Sequence, residues 1–323
     1  MPNRPMTRLA LRRVRRRAET LADCSLDRLA GSVGEFSSPD AFDDAFTERF
    51  RSFIRAKGVE LYRDLPWRNT RDPYAIWISE AMLQQTQVAR VLGRWERFMG
   101  RFPVVDALAA ASASDVLEEW QGMGYNRRAL ALHKAAQVCS AEYGGVMPPD
   151  AGALQQLPGI GKATAAGILA FAFDIPSVYV ETNVRAVIIH HFFPEEAEVT
   201  DKQIAALVER FCPDEDVRGW YYALLDYGAY LKKNFSNPSR RSKAYTRQSA
   251  FEGSRRQKRS WIVREVLACP EGVSVESLSM KLSETEMRAG RSEVGRELME
   301  SILSDLQSEG FLVCEDGVCR PAR

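Results

Sequence analysis

The stretch Leu157-Pro158-Gly159-Ile160-Gly161-Lys162-Ala163-Thr164-Ala165 decides the fold of this chain. Its Pro-Gly-x-Gly core predicts a tight turn between two helices, the second of which begins near Lys162. Glycines leave the backbone N–H groups of such a turn uncovered, and uncovered N–H groups at a helix N-terminus form an anion site. The same pattern is also typical of an ordinary helix connection, in which Pro and Gly act only as stop signals. The residues expected to contact a phosphate are Gly159, Ile160, Gly161, Lys162 and Thr164.

A glycine turn of this kind between apolar helices is a helix-hairpin-helix, which holds a DNA backbone without reading its sequence. The charge distribution also favours a double-stranded DNA partner, although the net charge is only +1. Between Lys232 and Arg264, eleven Lys and Arg residues accompany a single acid, Glu252. Aromatic residues are interleaved with this basic block, which favours phosphate contact over a merely solvated face.

Composition limits the class of protein. A chain of 323 residues holds two or three units with a real core. No stretch approaches the ~20 apolar residues that span a bilayer, so we expect no membrane contact. The Arg-rich N-terminus has no apolar run behind it and is not a secretory signal. The six cysteines are scattered, which indicates a reducing compartment. We therefore expect a cytoplasmic, nucleoid-associated monomer.

Helical patterns dominate the chain from about Pro39 to residue 310, and no period-2 strand run of any length occurs in this region. Pro and Gly breakers separate the helical segments. The prediction is an all-α, two-lobed helix-hairpin-helix core. Its parts are a poorly ordered basic arm at 1–37, a core at 38–255 with the hairpin lobe at 75–183, and a second lobe made of 38–74 plus 184–255.

The last segment, residues 256–323, has a different pattern. Three helical segments precede Phe311 to Arg320, where Asp316-Gly317 between short apolar segments is a strong hairpin signal. Three helices closed by a β-hairpin make a winged helix, which binds either DNA or a protein partner, here a repair protein. Cys314 and Cys319 would lie opposite each other across the hairpin, and we expect them to stay reduced.

Glu80 is the candidate acid. It lies in an apolar helical stretch between Trp77 and Leu83. A carboxyl removed from water has a raised pKa, which suits a general acid that works near neutral pH. The alternative is a helix glutamate that faces solvent, because helical spacing alone does not fix the direction of its side chain.

Four segments together resemble the MutY-type adenine DNA glycosylases, members of the helix-hairpin-helix superfamily that also contains endonuclease III. They are residues 65–88, Gly122-Met123-Gly124-Tyr125, Leu132-His133-Lys134-Ala135-Ala136 and the hairpin. The resemblance covers roughly residues 55 to 235, and Ser79-Glu80-Ala81-Met82-Leu83-Gln84-Gln85-Thr86-Gln87 is its most specific element. It implies an enzyme that flips a base out of duplex DNA and hydrolyses its N-glycosidic bond.

The resemblance also implies catalytic roles. Glu80 would protonate the departing adenine, and a second carboxylate would stabilise the positively charged sugar. The family has an aspartate in an Asp-Gly-Asn-Val segment, which reads Glu181-Thr182-Asn183-Val184 here. The extra methylene moves the carboxylate, and a shift of ~1 Å costs ~100-fold in rate. Three readings stay open: an adenine glycosylase, which we favour; a glycosylase for mismatched thymine, uracil or a deaminated or alkylated purine; and a non-catalytic DNA-binding protein.

The recognition residues match the family only in part. Asn183, grouped with the catalytic residues Glu80 and Glu181, is expected to line the base pocket together with Arg68 and Trp67. The residues expected to fill the space left by a flipped base are Gln84, Gln85, Thr86 and Tyr125. The family has paired tyrosines after Gly-x-Gly, whereas this chain has Tyr125 and Asn126. The predicted winged helix stands in place of the family's C-terminal Nudix-like domain. The opposing-base preference therefore stays open.

Two departures from the family concern its lyase chemistry and its cofactor. Bifunctional relatives place a Schiff-base lysine at the position of Ala163, while Lys162 lies ~100° around the helix, so we expect a monofunctional enzyme. Most relatives bind a [4Fe–4S] cluster through four cysteines, but no cysteine occurs between Cys212 and Cys269, so we expect no cluster. No metal is expected at the three histidines. The resemblance leaves room for a monovalent cation between the hairpin carbonyls and a DNA phosphate.

Overall fold

The computed structural model describes residues 42–247 and 250–322, so the expected basic arm at 1–37 lies outside the described residues. Contacts divide the chain into two compact units. The first comprises residues 42–76, 149–151 and 161–246, and the second comprises residues 77–148, 152–160 and 247–322. The segment boundaries that the sequence suggests, before residue 38 and after residue 255, stay a prediction.

Helices account for most of the described chain, which confirms the prediction of a mainly helical fold. In chain order the helices are α1 (Asp44–Leu61), α2 (Pro73–Leu83), α3 (Val88–Val91), α4 (Arg94–Arg101), α5 (Val105–Ala110), α6 (Ala113–Glu119), α7 (Arg127–Tyr143), α8 (Ala151–Gln156), α9 (Lys162–Phe173), α10 (Thr182–Phe192), α11 (Asp201–Phe211), α12 (Val217–Asn234), α13 (Arg255–Leu267), α14 (Val275–Arg288) and α15 (Arg296–Ser308). Short 3-10 helices occur at Pro66–Arg68 and Pro238–Arg241, and the strands are β1 (Val273–Ser274), β2 (Leu312–Glu315) and β3 (Val318–Pro321).

The core of the first unit is built from aromatic side chains on α1, α10, α11 and α12. Phe50, Phe211 and Trp220 are buried, and the ring centroids of Phe50 and Phe211 lie 4.7 Å apart. Such pairs bury a large apolar area and favour tilted or edge contacts. Gly58 lets α1 approach α12 closely, because a Cβ at this position would overlap Ala223. The core therefore fixes α12, a helix that carries several residues of the candidate site.

The second unit has its own core, in which Phe98 of α4, Leu108 of α5 and Trp120 are fully buried. Trp120 also donates its Nε1–H to the carbonyl of Gly124 at 3.2 Å. A buried indole N–H needs such a partner, and here the partner belongs to a glycine-rich loop. Packing of the core tryptophan thus fixes the loop that leads into α7.

Residues 255–322 of the second unit contain α13, α14, α15 and an antiparallel sheet with strand order β1-β3-β2. The turn between β2 and β3 places Asp316 and Gly317 at φ values of 49° and 73°. Positive φ at both central residues is what a two-residue hairpin requires, so the predicted Asp-Gly turn is confirmed. Strand β1 was not predicted, because two residues leave no periodic pattern.

The prediction that Cys314 and Cys319 stay reduced is wrong for this structure, in which a disulfide joins them. The two residues are directly opposite each other in the β2–β3 ladder, with their Cα atoms 4.1 Å apart. The prediction rested on the cell compartment, whereas the register of the hairpin brings the two thiols together. Among the described residues, Cys139, Cys212 and Cys269 are free.

Candidate functional site

Glu181 holds a defined position at the beginning of a helix. It is the N-cap of α10, with φ −128° and ψ 179°, and its side chain folds back over the first turn. Its Oε1 accepts hydrogen bonds from the backbone N–H groups of Asn183 at 2.6 Å and Val184 at 3.3 Å. A carboxylate at this place satisfies N–H groups that have no helical partner and interacts favourably with the helix dipole. The glutamate is therefore fixed rather than mobile.

The electrostatics of Glu181 depend on Lys232. Burial raises the pKa of the Glu181 carboxyl, whereas the Asn183 N–H and the charge of Lys232 act in the opposite direction. Burial lowers the pKa of Lys232, and the charge of Glu181 opposes that change. The ammonium of Lys232 donates to Oδ1 of Asn183 at 3.0 Å. Glu181, Asn183 and Lys232 thus form one cluster, which we call the carboxylate cluster.

Close packing of α12 holds the carboxylate cluster together. A Cβ on Gly228 would overlap the carbonyl of Asn183, so the two helices meet where only glycine fits. Lys232 lies four residues further along α12 and therefore projects from the same face. In the sequence, Lys232 belongs to a basic block, and nothing along the chain connects it with Glu181. Its one signal was its position, after the mainly apolar run of residues 219–231 in α12.

Arg68 and Trp67, expected to line a base pocket, are both buried within the first unit. Arg68 donates to both carboxylate oxygens of Asp226, at 2.7 and 2.9 Å, and its guanidinium carbon lies 4.3 Å from the ring centroid of Tyr222. Arg63 pairs with the same carboxylate at 2.5 Å. These contacts give Arg68 a structural role, and its role toward a base stays a prediction. Asp226, an acid inside the apolar run of α12, was the signal that sequence reasoning missed.

The glycine turn has the local geometry that its sequence predicts. Gly159 adopts φ +78°, which is left-handed, and a Cβ there would lie 2.8 Å from the Cβ of Ala131. Ile160 is buried and donates its N–H to the carbonyl of Leu157 at 3.1 Å, which closes the turn. The turn is thereby anchored from within the second unit.

The beginning of α9, in the first unit, is exposed. Gly161 is the N-cap and contributes no capping side chain, and both Gly161 and Lys162 are exposed. The N–H groups of the first turn therefore face a position where an anion binds well. Thr164 is buried, so its side chain is less accessible than the sequence suggested.

Glu80 lies on α2 in the second unit. It is half-buried, while the neighbouring Trp77, Ile78 and Met82 are fully buried. Glu80 is thus a partly accessible position within a helix whose neighbouring apolar residues are buried. This is the environment in which a glutamate can exchange a proton with a ligand.

Arg128 organises the loops that follow α2 and precede α7. Its Nη1 donates to the carbonyls of Ala81 and Gln84, both at 2.7 Å, and its Nη2 donates to Oγ1 of Thr86 at 3.1 Å and to the carbonyl of Gly124 at 3.0 Å. Burial lowers the pKa of Arg128 to about 10. This role of Arg128 is not predictable from the sequence, since nothing along the chain shows that a single arginine joins two loops.

These loops bring three predicted recognition residues together. Gln84, Gln85 and Tyr125 line one cavity of about 380 Å³ in the second unit. Gln85 and Tyr125 have φ values of 53° and 49°, which are uncommon for residues with side chains. Backbone held in such conformations is frequently found at ligand-binding loops.

Metal and membrane features are limited. In residues 42–247 and 250–322, no group of three or more His, Cys, Asp and Glu side chains is arranged to hold a metal ion. His191 contacts the Tyr227 hydroxyl at 3.0 Å, and burial lowers the pKa of His191 to about 3.

Over the same described ranges, every helix is too short or too polar to cross a bilayer.

Comparison with known proteins identifies the fold. Residues 78–214 match the family model of the HhH-GPD superfamily base excision DNA repair protein. A thermostable thymine-DNA glycosylase superimposes with a TM-score of 0.51 at 28% identity, covering 57% of this chain and 86% of that chain. Residues 78–214 therefore carry the HhH-GPD match, and the likeness of fold extends over 57% of the chain.

Curated relatives point to one enzyme class. The adenine DNA glycosylase of Buchnera aphidicola subsp. Baizongia pistaciae is 35% identical over 173 residues, which are 52% of this chain and 48% of that protein. The adenine DNA glycosylase of Mycolicibacterium smegmatis is 40% identical over 172 residues, 52% of this chain and 58% of that protein. The chain thus spans about half the length of these relatives.

Proposed function

We propose that this chain is a monofunctional, adenine-specific DNA glycosylase of base excision repair, which removes a flipped, mispaired adenine from duplex DNA. The observation that carries the proposal is the fixed carboxylate of Glu181 at the beginning of α10. It occurs in a chain whose Glu80 segment resembles adenine glycosylases and whose curated relatives bear that name. One carboxyl acts as acid, and the other remains ionised.

The first chemical role belongs to Glu80. A purine leaves the sugar poorly as an anion, so the glycosidic bond breaks when a proton reaches the ring. Glu80 in its acid form supplies that proton, and its half-buried position on α2 leaves it accessible to a bound base. The departing base leaves positive charge on the sugar.

The second role belongs to Glu181. Its carboxylate stabilises the developing positive charge on the sugar until water adds at C1′, which leaves a free base and an abasic site. Lys232 and the N–H of Asn183 favour the ionised form of Glu181 against the effect of burial. The longer side chain still works here, because the backbone N–H groups of α10 fix its position.

DNA contact has its own residues. The N–H groups at the beginning of α9, with Gly161 and Lys162, bind a backbone phosphate, and a monovalent cation at the turn completes this contact. Gln85 and Tyr125 fill the space left by the flipped base. Residues 256–323 form a winged-helix module that binds DNA or a repair partner, and the chain acts as a monomer.

We further propose that the enzyme works without an iron–sulfur cluster. Cluster ligation needs thiolates, and residues 213–268 contain no cysteine. The residues present therefore do not fit the group, and no step is assigned to it. Near the beginning of this cysteine-free segment, Lys232 at the end of α12 donates a hydrogen bond to Asn183. The position of Ala163 lacks the amine of a lyase, so strand breaks require alkali.

A second candidate is excision of another base, mismatched thymine or uracil or an altered purine. The similarity to a thymine-DNA glycosylase and the presence of Glu181 favour it. The test is excision from labelled duplexes containing A opposite 8-oxoguanine, A·G, A·C, G·T, G·U or hypoxanthine, with and without alkali. We expect alkali-dependent breaks at adenine that disappear in Glu80→Gln. Breaks confined to another base would establish the second candidate, and silence on every duplex would point to a DNA-binding protein.

A further inference from the structure

Two adjoining cavities in the second unit form what we call the arginine groove. They measure about 380 and 670 Å³, within the ~300–1,000 Å³ range of ligand sites. Gln85, Tyr125 and Asn126 line both cavities, and so do Phe251 and Arg256. The groove thus joins loops near α2 and α7 to the beginning of α13.

The charged residues that line the arginine groove are all positive. Its lining includes six arginines: Arg90, Arg127, Arg128, Arg256, Arg259 and Arg264. Among the residues that the structure describes, no Asp or Glu lines either cavity. A neighbouring acid, Glu309, pairs with Arg127 at 2.5 Å and with Arg259 at 2.6 Å, and Arg264 lies 3.6 Å from Glu265. The remaining positive charge complements an anionic ligand.

The groove also contains a flat face. The guanidinium carbon of Arg256 lies 5.1 Å from the ring centroid of Tyr125 and 5.4 Å from that of Phe251. Arg256 is oriented by a hydrogen bond of 2.8 Å from its Nη1 to the Tyr125 hydroxyl. Phe251 is 46% exposed, so its ring is available to a ligand. Arginine and aromatic planes in a positive groove are the surfaces on which nucleobases stack.

We propose that the arginine groove binds one unpaired nucleotide of the bound DNA, with its base against Phe251 and Arg256 and its phosphate near Arg90 and Arg264. The reason is geometric: a base within a duplex has both faces covered by its neighbours, so only an unpaired base offers a flat face to this surface. Removal of a base from the stack leaves its former partner in that state. The inference rests on the proposed action on DNA.

The test compares two labelled duplexes that differ at one position. One is fully paired, and the other carries a tetrahydrofuran abasic site that leaves the opposite nucleotide unpaired and cannot be cleaved by the enzyme. Fluorescence anisotropy gives the affinity of the full chain for each. We expect wild type to prefer the second duplex and the double variant Phe251→Ala, Arg256→Met to lose about tenfold of that preference, the size of one stacking contact.

Two further variants keep the result interpretable. Arg288→Met removes an exposed arginine outside the groove and should leave both affinities unchanged. Phe251→Ala alone changes an exposed side chain, so it tests the stacking face even if the double variant folds poorly. Equal losses on both duplexes, or no loss on either, would overturn the inference.

The outcomes also separate this inference from the proposed function, because the binding assay needs no excision. If the chain excises no base but still prefers the abasic duplex through the arginine groove, the inference is supported and the proposed glycosylase activity is rejected. Normal excision without that preference would reject the inference alone. Tight binding of free deoxynucleoside monophosphates that is lost in the same variants would identify a diffusible nucleotide as the ligand and overturn the assignment to DNA.

Discussion

At the scale of single residues, two carboxylates carry the proposed chemistry, and both roles are predictions made from the sequence. The roles of Lys232 and Asp226 were not predicted, because their partners lie far away along the chain. Lys232 binds a residue 49 positions away, and Asp226 binds Arg68 at a separation of 158. Sequence spacing reports only local neighbours, so contacts of this kind become visible only after folding.

Loss of the Lys232 charge should shift the pH dependence of excision. Lys232 lowers the pKa of Glu181, so Lys232→Met lets burial raise that pKa further. Since Glu181 acts as a carboxylate, the acidic limb of the rate profile should move to higher pH, with a loss of about tenfold or more at neutral pH. Single-turnover rates across pH measure this. Lys232→Arg keeps the charge and should retain the wild-type pH profile. Lys233→Met, the control at the neighbouring position, should also leave the profile unchanged. An unchanged profile in Lys232→Met would contradict the role of the Lys232 charge.

Shortening Glu181 should be harmful rather than helpful. Glu181→Asp restores the family's residue type and can still cap α10. Its carboxylate would nevertheless withdraw by ~1 Å from the position that the Asn183 and Val184 N–H groups define, and we expect a loss of about 100-fold in the single-turnover rate. DNA affinity should change little. A faster Glu181→Asp enzyme would show that this chain is not adapted to glutamate.

At the scale of elements, the breakers in the sequence located most connections, and Asp316-Gly317 located a hairpin turn. What the sequence did not indicate is how loops are joined. Arg128 ties the end of α2 to the loop before α7 through several carbonyl contacts. The glycine turn, by contrast, was read correctly because its conformation is required locally at Gly159.

Replacement of Arg128 should loosen both loops. Arg128→Lys keeps the charge but lacks the planar fork that reaches several carbonyls, and it leaves buried acceptors unsatisfied. We expect a loss of on the order of 2–4 kcal/mol in the free energy of unfolding. Thermal and urea unfolding measure it, with Arg127→Lys at the exposed neighbouring position as the control. Equal stability of the two variants would contradict the assigned role.

Substitution in the glycine turn should weaken DNA binding. Gly159→Ala places a Cβ at φ +78° and within 2.8 Å of Ala131, so the turn must shift. The strain is about 1–3 kcal/mol, and the displaced N–H groups would bind phosphate less well. Anisotropy with duplex DNA should show a loss of affinity, whereas Gly100→Ala, which meets no atom within 4 Å, should not. Unchanged DNA affinity in Gly159→Ala would show that the glycine turn does not contribute to DNA binding.

At the scale of the whole molecule, the mainly helical HhH-GPD fold was accessible from the sequence, because the glycine turn and the helical periodicity act over short stretches. The grouping of residues 77–148 with residues 247–322 was not, since no local pattern links them. The disulfide between Cys314 and Cys319 was missed because compartment was weighed above strand register. The sequence predicts Glu80 and Glu181 as site residues from their positions in their motifs, but the contacts of Glu181 could be described only from the structure.

In the proposed mechanism, Glu80 and Glu181 act in base excision rather than in DNA binding. The most direct measurement is the single-turnover release of adenine from an A opposite 8-oxoguanine duplex by wild type, Glu80→Gln and Glu181→Gln, with the affinity of each for the same DNA. We predict alkali-dependent cleavage by wild type, losses of at least about 100-fold in both variants, and near-equal affinities. Excision that survives in either variant, or DNA binding that falls in parallel with excision, would contradict the account.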